Sequence, residues 1–297
     1  MQLLATAVLA LAVAAGSPTV VAKLPSGGNQ PCGSAVAGKY LYQDNYSSGV
    51  LARIDPATNR VVKKLKVGGG PCGVVAGGGA LWVENFFQDT IARVDPVRFR
   101  VTNQIKVGHK PWDVAYGFGS VWSSDFGDGT VTRIDAKKRK AVKHIVTRGN
   151  PTCIRAGAGA IWVASQNTDD VYRIDPATNA VTTVHVGHGS ELCVDVHEDG
   201  VWVSDNVAGT VTRIDPKTYA VVATTKVGNA PADGARGPDG LEWIPNLGDG
   251  TISRIDPATN DVVDTISVGP SPFVVRSAFG DMWVGEFQGS QLWRIHP

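Results

Sequence analysis

The 297-residue chain carries no excess of charge of either sign: 28 Lys and Arg stand against 27 Asp and Glu, a formal net charge of +1. A nucleic-acid surface needs clustered surplus Lys and Arg to neutralise phosphates, so this balance argues against one. Past its first residues the chain also has no apolar run long enough to cross a bilayer, which takes about 20 residues. No G-x-S-x-G, no Walker loop and no G-x-G-x-x-G between a strand and a helix occurs, which removes the common hydrolase and nucleotide-binding signatures. Histidine and cysteine are scarce, at six and four. They show neither C-x₂₋₄-C nor H-x₃₋₅-H spacing, which disfavours a zinc motif.

Glycine and proline, by contrast, are plentiful. Thirty-five Gly and 17 Pro are too many for a helical bundle and lack the G-X-Y period of collagen, while 43% hydrophobic residues can still form a core. Such a composition suits many strands joined by tight turns.

Residues 3–15 are apolar, uncharged and too short to span a membrane. Small residues at Ala12, Ala14, Gly16 and Ser17 resemble a signal-peptidase site. The chain therefore divides into a secretory leader, residues 1–17, and a body, residues 18–297. The expected location is secreted or periplasmic. The basic residues that usually open a leader are missing, which fits a true start upstream of Met1.

An internal repeat decides the fold. Arg-Ile/Val-Asp recurs at Arg53, Arg93, Arg133, Arg173, Arg213 and Arg254, and the series closes with Arg294-Ile295-His296. The spacing is 40 residues, except for 41 between Arg213 and Arg254. The extra residue falls near Arg236–Gly240. Each unit reads as four short strands. In the second unit these are Gly73–Ala76, Ala80–Val83, Thr90–Val94 and Val101–Val107, with Asp95-Pro96 as a turn. Four strands per ~40 residues is the signature of a propeller blade.

The last unit stops after its third strand. Val20–Leu24, followed by Gly27-Gly28, matches Val61–Leu65, followed by Gly68-Gly69. The N-terminal segment is thus expected to complete the last blade and close a seven-bladed β-propeller. Closure ties down both ends and leaves only short outer edges. A monomer is expected. Tyr42, Trp82, Trp122, Trp162, Trp202, Trp243 and Trp283 occupy one position per repeat and should pack against the following blade.

Cys32 and Cys72 each follow a Pro at the start of the inner strand, and Cys153 and Cys193 lie one step further along in their blades. Each pair joins neighbouring blades near the axis, within disulfide reach. Two disulfides, Cys32–Cys72 and Cys153–Cys193, are the expectation. Free buried thiols and a metal site are the alternatives.

The loops entering the inner strand and leaving the second strand share one face, around the axial mouth. Asp44, Glu84 and Glu286 lie at second-strand exits of adjacent blades, where three carboxylates would suit Mg²⁺ or Ca²⁺. A solvated acidic rim with turn-capping duties is the alternative. Charges inside inner strands are more unusual. Arg155, Asp195 and Arg276 replace apolar residues, with Asp113, Asp233 and Arg236 close by. Either Arg155 and Asp195 pair internally, or Arg155 and Arg276 serve an anionic or hydroxylated ligand. Trp112 replaces a small residue at the top of an inner strand and is a candidate for the mouth. His109 and His188 read as solvated loop residues.

Leu81-Trp82-Val83-Glu84-Asn85, Thr251-Ile252-Ser253-Arg254-Ile255-Asp256-Pro257 and Val268-Gly269 up to Pro272 resemble the repeats of bacterial YVTN-type and virginiamycin B lyase-like propellers, over residues 19–297. That resemblance implies a seven-bladed scaffold and, in the lyase branch, metal-assisted opening of a lactone-type ester by elimination. The family's two histidines correspond to Ala232 and Phe273, and one of its glutamates to Ser271. Only Glu286 matches a family glutamate, and it is the single catalytic candidate. The reading is therefore an exported, non-catalytic propeller that binds a small molecule, peptide or protein on its loop face. The alternative is a metal-assisted lyase or lactone hydrolase.

Overall fold

The computed structural model describes residues 17–187 and 189–297. Residues 1–16, which hold most of the expected leader, and His188 lie outside the described residues. Seven four-stranded antiparallel sheets form a closed seven-bladed propeller. Among the described residues no helix is long and apolar enough to cross a membrane.

The ring is latched as the repeat arithmetic requires. Thr19–Pro25 pairs antiparallel with Gln291–His296 and becomes the outer strand of blade 7. Arg294 carries the closure into blade 1, donating to the Pro56 carbonyl at 2.6 Å and to Asn59 Oδ1 at 2.8 Å. The same stitch joins blade 3 to blade 4 through Arg133 and Pro176, and blade 5 to blade 6 through Arg213 and Pro257. With Arg53, which reaches the Pro96 carbonyl, the repeat Arg thus ties blades 1, 3, 5 and 7 to the Asp-Pro turn of the next, whereas Arg93 and Arg254 bond within their own blades. In those turns the Asp caps the backbone, as Asp55 does for the Ala57 N–H.

The position filled by Trp in six blades and Tyr in one is buried throughout. Each ring packs into the next blade. Trp82, for example, sits with Val114, Val121 and Ile134 of blade 3. Trp283 meets Leu41 and Ile54 of blade 1. The core is thus seven apolar seams between blades rather than one centre, and an eighth cluster lies at the axis.

Blade 6 departs from the pattern. Its inner strand is only Ala235–Arg236, against four to eight residues elsewhere. The extra residue lies in the Gly237–Gly240 turn that follows, where the Gly237 N–H donates to the Leu241 carbonyl.

Candidate functional site

Two cavities lie along the axis, one at each end. Inner strands rise about 3.3 Å per residue, so the residue after the leading Pro and the residue three places later stand at different heights along the axis. The upper layer comprises Cys32, Cys72, Trp112, Thr152, Leu192, Ala232 and Phe273. The lower comprises Ala35, Val75, Ala115, Arg155, Asp195, Ala235 and Arg276. Between them, Cys153, Cys193, Asp113 and Asp233 form a middle layer.

The disulfides Cys32–Cys72 and Cys153–Cys193 join adjacent blades, with Cα separations of 4.8 and 4.7 Å. They lie in the axial apolar cluster with Leu192, Phe273 and Val274, and so floor the upper mouth. Each closes a 40-residue loop, worth about 4 kcal/mol in the chain-entropy account. Two disulfides fit an oxidising compartment.

The charges of the inner strands are used on one another. Arg155 donates to both oxygens of Asp233, at 2.7 Å each, and also to Asp113. Arg276 donates to Asp233 as well. Burial alone would lower the Arg155 pKa, but Asp233 and Asp113 outweigh it and hold the guanidinium charged. Asp113 is pushed up by burial, with Arg155 opposing. The pair expected between Arg155 and Asp195 is not among the ion pairs of the described residues. Asp195 instead meets His197 Nε2 at 2.8 Å and the Arg236 N–H at 3.1 Å. Burial works against the Asp195 charge, but the hydrogen bond and charge of His197, with Arg155 and Arg276, together outweigh it, so its pKa is lowered. Arg236 bonds Glu242 and Asp199 at the lower rim, away from the loop face. The lower cavity, about 380 Å³, therefore offers no guanidinium without a carboxylate partner.

The expected carboxylate triad does not form one group. Asp44 and Glu84 are fully buried and hold inner-strand amides: Asp44 accepts from the Gly33 N–H at 2.7 Å, and Glu84 from the Cys72 N–H. Burial pushes both well above the usual carboxylate range. Glu286 sits one residue further along its strand than Asp44 and Glu84 do on theirs, so it faces the other side of its sheet. Its carboxylate accepts the Trp293 indole N–H. Ala232, Phe273 and Ser271 supply no imidazole or carboxylate. These residues do not fit the divalent metal that the lyase resemblance implies. His109 is a loop residue, half-exposed, against Asp89.

The upper cavity, about 410 Å³, is lined largely by rings. Trp112 lies in it, 6.1 Å from Phe86 and 5.3 Å from Phe126, centroid to centroid. Tyr46 stands 6.4 Å from Phe86 and 6.1 Å from Phe287, and Phe287 is 5.0 Å from Phe273. A continuous aromatic arc thus runs across blades 7, 1, 2 and 3. Facing it, blades 4, 5 and 6 present Gln166, Asn206 and Leu247. Except for Trp112, the sequence reading missed these residues. The signal lies four places after the blade Trp, where the seven units read Tyr46, Phe86, Phe126, Gln166, Asn206, Leu247 and Phe287.

No protein-family model and no curated protein matches the sequence. Solved structures match in shape. A hydrazine synthase chain from Kuenenia stuttgartiensis is 16% identical with a TM-score of 0.78, covering 92% of this chain and 96% of that one. Virginiamycin B lyase from Staphylococcus aureus is 14% identical, TM-score 0.78, over 95% of this chain and 100% of its own. A catalytically inactive form of that lyase with quinupristin gives 13% and 0.79, over the same shares. At these identities the likeness shows the propeller fold.

Proposed function

We propose that this chain is an exported, non-catalytic binding propeller whose aromatic upper mouth takes an apolar or aromatic group of a small molecule, a peptide or a protein partner. One observation carries the reading. The upper cavity has a size typical of ligand pockets, and its described lining residues include rings and amides but no imidazole and no carboxylate. Rings bury large areas and also stack, so they bind well without reacting. Gln166 and Asn206 supply hydrogen bonds to a polar edge of the same ligand. Export is supported by the disulfides and by the apolar leader.

The fold likeness to virginiamycin B lyase favours the second reading, a metal-assisted lyase or lactone hydrolase. Against it stand Ala232 and Phe273 at the histidine positions and the engagement of Glu286 by Trp293. General acid–base work needs a titratable group within hydrogen-bond reach of the substrate.

The test is a thermal-shift screen of lactones, sugars, aromatic peptides and divalent metals, followed by fluorescence titration of the hits. A ligand of the native state raises the melting temperature. The reading expects hits with an aromatic or aliphatic group, lost in Trp112→Ala and Phe287→Ala and recovered unchanged after incubation. A lactone recovered opened would overturn it in favour of the enzyme.

A further inference from the structure

At the lower end of the channel blade 6 breaks its own repeat. The residue before the blade Trp is apolar in six blades: Leu41, Leu81, Val121, Ile161, Val201 and Met282. In blade 6 it is Glu242, and its side chain is fully buried. Burying a carboxylate in a seam built for leucine is costly without full compensation. Compensation here is partial. Arg236 Nε donates to Glu242 Oε1 at 2.7 Å, but Oε2 is buried with no hydrogen-bond partner.

His197, from blade 5, meets the same carboxylate. Its Nε2 lies 3.3 Å from Glu242 Oε1 and 2.8 Å from Asp195 Oδ2. One ligand atom from each of the three side chains falls within 4.8 Å of the others. Two ligands bound about 2.0–2.1 Å from a tetrahedral ion stand roughly 3.3 Å apart, close to the spacing of the imidazole and the two carboxylates. Outer-shell groups are in place: the Val196 N–H donates to Asp195 Oδ1, and Arg236 holds both Glu242 and Asp199. With a neutral imidazole, the three carboxylates outnumber the guanidinium groups of Arg236 and Arg213, and the net negative charge favours a cation. Asp195 also lines the lower cavity, and the His197 side chain is 27% exposed, so an ion has access from solvent.

We propose that Asp195, His197 and Glu242 form a three-ligand site for a divalent transition ion of the zinc class, which clamps the inner strand of blade 5 to the second strand of blade 6. One imidazole with two carboxylates suits zinc better than Mg²⁺ or Ca²⁺, which prefer oxygen alone. The four cysteines are in disulfides and do not compete for the ion. The site lies at the opposite end of the channel from the aromatic mouth and does not depend on what that mouth binds.

The experiment is equilibrium dialysis of chelator-treated full-length protein against Zn²⁺, with melting curves in parallel. The expected result is one zinc per chain and a rise in melting temperature of about 5 °C at a hundredfold excess over Kd. His197→Ala and Glu242→Leu should each lose the ion and the shift. Glu242→Leu restores the residue type of the other six blades and keeps the fold. His109→Ala, at the other face, should retain both. Failure of the unmodified protein to take up stoichiometric zinc overturns the proposal. So does retention of zinc in either His197→Ala or Glu242→Leu.

Discussion

At the upper end of the channel, rings from four blades stand edge to edge around a cavity lined by no charged side chain among the described residues. At the lower end, Arg155, Arg276, Asp113 and Asp233 form a closed ionic network, and Arg236 and His197 hold Asp195, Asp199 and Glu242 beside it. Both ends are made from equivalent positions of one repeat. The difference lies in whether each side chain has already found its partner. The charges look like recognition groups in the sequence, yet they hold blades together. The rings look like packing, yet they retain a free face.

The sharpest way to break this contrast is to remove the carboxylate that two arginines share. Asp233→Ala leaves Arg276 with only a backbone carbonyl, and Arg155 with Asp113 and the Ile154 carbonyl. Breaking one partner of a largely buried pair costs about 3–5 kcal/mol. The midpoint of thermal unfolding should fall by about 10 °C, read by calorimetry. Replacing Arg155, Arg276, Asp113 and Asp233 together by apolar residues of similar volume should recover much of that loss, because the desolvation penalty disappears with the charges. A mild effect of Asp233→Ala would mean that solvent already screens the network.

The next test concerns a buried carboxyl at the upper end that has hydroxyls rather than an arginine for company. Asp125 accepts from Ser123, Thr130 and Thr132, with His144 beyond Thr132. Burial raises its pKa to about 6, against those three hydrogen bonds. An acid whose folded pKa lies above its unfolded value binds more protons in the native state between the two. Stability therefore falls as pH rises from about 4 to 6, then levels off, by up to about 3 kcal/mol. Asparagine stands at the equivalent place in blades 1, 2 and 6, as Asn45, Asn85 and Asn246. Asp125→Asn should flatten that slope in urea melts taken at several pH values and make the protein more stable at pH 7. An unchanged slope would assign the pH dependence to other groups.

How much of this was legible in the sequence differs between scaffold and site. Arg-Ile-Asp, the blade Trp and the unmatched N-terminal strand specified blade number and closure, and the repeat positions of the cysteines pointed to both disulfides, because each belongs to a repeat whose period shows by eye. The pairing of Arg155 did not follow from that logic. Neighbouring units suggested Asp195, one blade on, but seven inner strands converge at the axis. An arginine there spans the channel to Asp233, two blades on. The aromatic arc was hidden for another reason. Tyr46, Phe86, Phe126 and Phe287 are each an ordinary loop ring, and only their shared position makes them a surface. Glu242 was readable in the same way, as one acid in a column of leucines, valines and their kin.

A smaller effect is expected from the rings themselves. Trp112→Ala removes contact area from a cavity already open to solvent, so it should change stability little. It should weaken any mouth ligand by about 10- to 100-fold, as central aromatic anchors do. Fluorescence titration of the variant beside the parent separates the two quantities. Equal losses of stability and affinity would make Trp112 a packing residue and narrow the contrast between the two ends.

The smallest effect is predicted at Glu286, and it discriminates most cleanly between the two functional readings. If the chain were a metal-assisted lyase, Glu286 would be its one retained carboxylate, and Glu286→Gln would abolish both metal binding at the mouth and turnover. In the structure that carboxylate accepts the Trp293 indole N–H, under the Lys23 ammonium that lies 3.6 Å from the Trp293 ring. Glutamine keeps an oxygen acceptor for the indole, so stability should move by no more than about 0.5 kcal/mol. Binding at the mouth should not change, because Glu286 faces the other side of its sheet from the cavity. A loss of ligand or of Mg²⁺ binding on Glu286→Gln would mean that this side chain turns inward during function. The aromatic mouth would then be a substrate pocket with a catalytic wall.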